Sequence, residues 1–251
     1  MIRNLKGLGL AFLAIFAMSA IAASAAQAEA GKGPSAFTAE QYPATLDGEQ
    51  TGAATVFARE GRTVTCEKAT YGATITGKAT TVTVHPAYSN CHSIILGTKF
   101  DATVTFADGC DYLFHTTTDV VNGVDTFTAI SDLVCAAGND VQIDIYKAGT
   151  PTTALAHADT NNFLCAFTFK GAPENQGLKT IDLTNKAAGG ITPKDWIEAD
   201  INISGVSSKR VDGTALSCGA ENNATGTLVG NASLKGTNGA GEANGLTVTT
   251  E

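Results

Sequence analysis

Residues 100–130 read FDATVTFADGCDYLFHTTTDVVNGVDTFTAI. Phe100, Ala102, Val104 and Phe106 alternate with Asp101, Thr103 and Thr105. One face is therefore apolar and the other wet, which is the period of a half-buried strand. Asp108-Gly109 marks a reversal, after which Cys110, Tyr112 and Phe114 share a face. Asn122-Gly123 marks the next, because both residues tolerate the positive φ of a two-residue hairpin. The stretch predicts three strands on two tight turns, with one cysteine inside the meander.

The same pattern extends outward in both directions. Upstream, residues 53–58, 62–70, 73–76 and 80–84 read as strands, the last two flanking a turn at Gly77-Lys78. His85-Pro86 is expected to end a strand, with residues 88–92 as a loop carrying Cys91. Residues 29–36 read as a loose leader of small residues, and Tyr42-Pro43 opens an extended segment. Downstream, Val141, Ile143 and Ile145 alternate with Asp140, Gln142 and Asp144. Phe163, Cys165, Phe167 and Phe169 are expected on one side of another strand. Ile197, Ala199, Ile201 and Ile203 alternate with Glu198, Asp200, Asn202 and Ser204, so Thr192-Pro193-Lys194-Asp195 can start at most one helical turn. Residues 206–211, 215–218 and 225–232 complete about a dozen strand candidates. The expectation is an all-β, antiparallel, sandwich-like protein with no long helix after the leader.

Residues 1–28 have the form of a signal peptide. Arg3 and Lys6 precede an uncharged apolar run, and Ala26-Gln27-Ala28 supplies small-x-small before Glu29. No later stretch is apolar enough to span a membrane as a helix. The expected organisation is a leader over 1–28, an extended segment over 29–52, and β-rich lobes over 53–134 and 135–251 that can also form one continuous domain. The expected location is secreted or extracytoplasmic.

The chain has 16 basic and 24 acidic residues, and losing Arg3 and Lys6 leaves 14 basic. With no cluster of Lys and Arg, nucleic acid is not an expected partner. Six cysteines, Cys66, Cys91, Cys110, Cys135, Cys165 and Cys218, all follow the leader. An even count in an exported chain reads as three disulfides. Six cysteines allow about 15 pairings. Cys66 to Cys91 and Cys110 to Cys135 are both 25 residues apart, each spanning one predicted turn. That favours sequential pairing, Cys66–Cys91, Cys110–Cys135 and Cys165–Cys218. No C-x-x-C pair is present and only His92 adjoins a cysteine, so no metal is expected.

No nucleophile elbow, phosphate-binding loop or dinucleotide fingerprint occurs, so no catalytic residue is assigned and no cofactor is expected. Two carboxylate pairs stand on wet strand faces: Asp140 with Asp144, and Glu198 with Asp200. If their strands were neighbours, the four and Asn202 would line one polar surface, beside the single tryptophan, Trp196. These six residues are the candidate ligand face. It would suit a sugar, a carboxylate-pair hydrolase or Ca²⁺; simple alternation also demands polar residues there.

Several short segments carry a resemblance: Tyr42-Pro43-Ala44, Gly48-Glu49-Gln50, Tyr88-Ser89-Asn90-Cys91, Asp108-Gly109-Cys110-Asp111-Tyr112, and the later Cys135, Cys165, Gln176 and Cys218 series. In these the chain resembles exported, cysteine-containing β-proteins of soil actinobacteria. The resemblance implies an extracytoplasmic β-protein and no particular activity. Three functions are open: a non-enzymatic binding or cell-surface protein, a carbohydrate-binding module, and a secreted hydrolase. A surface glycan or protein is the expected partner.

Overall fold

A computed structural model describes residues 33–121, 124–150, 163–171, 178–186 and 191–251. The expected leader and its cleavage site lie outside the described residues, as do Asn122 and Gly123. The described chain is an antiparallel 15-stranded sheet with one four-residue helical turn, α1 (Ala215–Cys218). The all-β antiparallel class read from alternation is the class observed.

Two long strands organise it. β5 (Thr81–Ile95) pairs along one edge with β4 (Arg62–Ile75). Its other edge takes β7 (Cys110–Val121) at residues 81–84 and β6 (Thr98–Phe106) at residues 91–95. β12 (Trp196–Gly213) forks in the same way. One edge pairs with β13 (Asn222–Asn238). Its other edge takes β11 (Leu178–Lys186) early and β10 (Phe163–Lys170) late. β9 (Asp140–Tyr146) joins β6 to β10, and β8 (Val124–Cys135) joins β7 to β11. β2 (Ala44–Gln50) and β3 (Thr55–Arg59) lie one after the other between β4 and β13. Three ribbons thus run from β5 to β12: β4–β2–β13, β6–β9–β10 and β7–β8–β11.

The forks explain three departures from expectation. Asp108-Gly109 does reverse the chain, with Gly109 at φ 76 and the Cys110 amide donating to the Ala107 carbonyl at 2.8 Å. Yet β6 and β7 do not pair with each other; they leave β5 into different ribbons. Pro86 does not end its strand either. It sits where β7 has left β5 and β6 has not yet joined, so its missing N–H costs no ladder bond. For the same reason residues 88–92 are strand rather than loop.

Other local readings change too. Gly33–Ala39 is β1, not a loose leader, because Ala36 and Phe37 are fully enclosed against β15 (Leu246–Thr250). A short β14 (Ala243–Asn244) precedes β15. Residues 215–218, expected as strand, form α1. A register shift between Phe163 and Cys165 turns Phe163 away from Cys165, Phe167 and Phe169. Phe163 instead packs with Tyr146 and Ala166 in a small separate cluster.

Apart from Ala36, all other buried apolar side chains, from Phe37 to Val248, form one core drawn from all three ribbons. The core centre is aromatic: Tyr88 meets Phe57 at 4.9 Å and Phe106 at 5.8 Å between ring centroids. The disulfides are Cys66–Cys91, Cys110–Cys135 and Cys165–Cys218, the sequential pairing. The first two link direct register partners across β4–β5 and β7–β8, and the third ties α1 to β10.

Candidate functional site

On β12 the side chains of Ile197, Ala199, Ile201 and Ile203 enter the core, so Trp196, Glu198, Asp200 and Asn202 all face outward. Register fixes their neighbours. Asp200 lies between Asp182 of β11 and Asn231 of β13; Glu198 lies between Thr184 and Ser233. Asp182, Thr184, Glu198, Asp200 and Asn231 line an open polar depression of about 370 Å³ together with Thr51 and Gly52. The Asn231 amide donates to Asp200 at 3.2 Å, and Lys186 pairs with Glu198 at 2.8 Å. Trp196, one step beyond Glu198 on this face, is half-buried and flanked by Lys186 and Lys235.

Asp182 and Asp200 are both exposed and sit directly opposite each other. Facing positions bring Cβ atoms to about 5 Å, where like charges repel. The arrangement offers carboxylate acceptors, an amide and hydroxyls in one concavity, a donor–acceptor set suited to hydroxyl groups. The sequence reading found Glu198, Asp200 and Asn202 but missed Asp182, Thr184 and Asn231. Asp182 alternates visibly with Ile181 and Leu183, but only strand order brings it beside Asp200.

The other half of the expected face is elsewhere. β9 does not adjoin β12; β10 lies between them and meets β12 only from Ser208 onward. Asp140 is half-buried, 3.9 Å from Lys170. Asp144 is 0% exposed and accepts a hydrogen bond from the Gln142 amide at 2.7 Å. It is buried because Tyr146, Phe163 and Ala166 cover the outer side of that ribbon. The four carboxylates therefore do not converge. Among the described residues no group of three His, Cys, Asp or Glu side chains could hold a metal ion.

Two core cavities, of about 30 and 20 Å³, are apolar and far below ligand size. Ser131, Tyr112, Ile203 and Leu228 border both.

A second polar feature had no sequence signal beyond an inward position. Thr55, Phe57 and Arg59 of β3 all point into the core, and Arg59 is only 5% exposed. Its Nη2 donates to the Ala220 carbonyl at 2.5 Å, and its Cζ lies 5.0 Å from the Phe167 ring centroid. Arg210 Nη1 donates to the Gly219 carbonyl at 2.8 Å, and Arg62 Nη2 donates to the Leu216 carbonyl. Three arginines from three strands thus hold the segment that carries Cys218. Burial pushes the Arg59 guanidinium below its ordinary range, the Arg210 charge adds to this, and Glu60 partly offsets it.

No protein-family model matches the chain, and no curated protein and no solved structure matches it either.

Proposed function

We propose that this chain is an exported, non-enzymatic binding protein that takes a hydroxyl-rich ligand, a glycan, on the outer face of β11, β12 and β13. The carrying observation is the depression in which Asp182, Thr184, Glu198, Asp200 and Asn231 converge, with Trp196 outside its lining, next along the outward face of β12 from Glu198. Carboxylates and amides read sugar hydroxyls, and an indole offers an apolar face to the ring's C–H groups. Three disulfides support an oxidising location, since such bonds persist outside the reducing cytosol.

The hydrolase reading loses its second carboxylate pair, because Asp140 and Asp144 stand on another ribbon. The test is a glycan array followed by calorimetry on the best ligand. Glu198→Gln, Asp200→Asn and Trp196→Ala should each weaken binding about tenfold or more, near the value of one charge-assisted hydrogen bond. A protein that retains no glycan, or variants that bind as well as the parent, would overturn the proposal.

A further inference from the structure

Arg59 carries five N–H donors, of which Nη2 is engaged with Ala220. Nε and Nη1 are shut away from solvent and have no hydrogen-bond partner. A guanidinium with enclosed donors left unused bears a desolvation cost that its one carbonyl bond does not offset. Arg210 stands close enough to repel it, which adds to that cost. Glu60 acts on Arg59 through space but makes no hydrogen bond to either orphaned nitrogen. The stacking on Phe167 compensates one face of the guanidinium plane and leaves its edges unmet.

Arg59, Arg62 and Arg210 converge on the segment that carries Cys218 through their bonds to its carbonyls, with Glu60, Asp212 and Glu221 as neighbours along the chain. The covering segment, residues 213–221, is exposed at Gly213, Thr214, Leu216 and Glu221. Arginine–carbonyl bonds, the Cys165–Cys218 disulfide and the Arg210 amide bond to the Glu221 carbonyl tie it down. An anion that replaced the Ala220 carbonyl on Arg59 would exchange a neutral acceptor for a charged one, the stronger bond.

We propose that Arg59 and Arg210 form a site for a small free oxyanion of the phosphate or sulfate class, seated beneath residues 219–221. Two adjacent guanidinium charges favour a divalent anion over chloride, and the planar N–H fork matches its oxygens. The enclosure of the orphaned nitrogens favours a free ion over an ester on a polymer. This site is separate from the polar depression on β11–β13 and does not depend on the glycan reading.

The experiment is thermal melting of the disulfide-intact protein in millimolar inorganic phosphate or sulfate, against sodium chloride at matched ionic strength. Phosphate or sulfate should raise the melting temperature saturably, by about 5 °C at a hundredfold excess over the dissociation constant. Arg210→Gln, at a half-buried position, should fold and lose that rise. Arg59→Met removes the orphaned donors. If it folds, its melting temperature should be insensitive to phosphate. A parent protein that melts at the same temperature in phosphate, sulfate and chloride would overturn the site. So would an Arg210→Gln variant that keeps the parent's full rise, since the effect would then be a general salt effect.

Discussion

Asp182 and Asp200 face each other across β11 and β12 with no cation in register between them. Like charges at facing cross-strand positions are destabilising. Asp182→Asn should therefore stabilise the protein by about 0.2–1 kcal/mol, the span of a cross-strand pair. The same change should weaken any ligand of the depression, because it removes an acceptor. Urea denaturation of the variant measures the first effect and ligand titration the second. A variant that loses stability would show that Asp182 is structurally compensated. Arg59 is a second residue whose polar groups are not satisfied by the fold. Both features concern charge, and both were partly hidden from sequence reading. Alternation places Asp182 outside and Arg59 inside, but the partner that makes each unusual comes from a distant part of the chain.

At the scale of elements, the disulfides bind what the ladders already align. Cys66 faces Cys91 and Cys110 faces Cys135 in direct register, so each bridge locks one hairpin. Replacing Cys110 and Cys135 together by serine should cost about 2–4 kcal/mol, largely through the freed unfolded chain. Denaturant unfolding of the double variant against the parent checks the figure; a loss under half a kilocalorie would mean that the β7–β8 ladder needs no staple. These two hairpins were legible because a turn signal sits midway between cysteines of equal spacing. Cys165 and Cys218 were paired by elimination, and the helical turn that delivers Cys218 was read as strand from four ordinary residues. β1 and β15 were missed as strands for a different reason. Their small and polar residues look like leader and tail, and only their mutual pairing makes Phe37, Leu246 and Val248 core. Pro86 misled in the opposite direction, since sequence does not show which edge of a strand is free.

The three ribbons share one core, and its aromatic centre gives the molecule a defined response to alkali. Burial pushes the Tyr88 and Tyr112 hydroxyls well above their ordinary range, and Tyr71 is raised by burial as well. Tyr88 and Tyr112 share a hydrogen bond at 3.3 Å. A raised folded-state pKa means that the native state keeps a proton the unfolded state has lost. Stability is then unaffected below about pH 10 and falls as pH rises beyond it, toward the raised values. Tyrosinate absorbance from these residues should appear together with the loss of strand signal in circular dichroism, as one transition. Ionisation of all the tyrosines near pH 10 with the strand signal intact would contradict a sealed core. How the ribbons assemble was the least legible feature of the chain. Periodicity reports which side of a strand is buried, but the forks at β5 and β12 depend on which neighbours those strands find.

The pairing of β1 with β15 also governs timing. Thr38 and Thr249 share a hydrogen bond 211 residues apart in sequence. A chain emerging from a ribosome or passing through a membrane channel presents β1 early, with Phe37 apolar and its main partner strand not yet available. The sheet cannot close until the distant strand arrives, so the last step of folding waits on nearly the whole described chain. Contacts of such long range also slow folding itself, since their loop entropy must be met before they form. Through that interval β1 is an open strand edge in search of a mate, and the cell must keep it from finding one in a neighbouring chain.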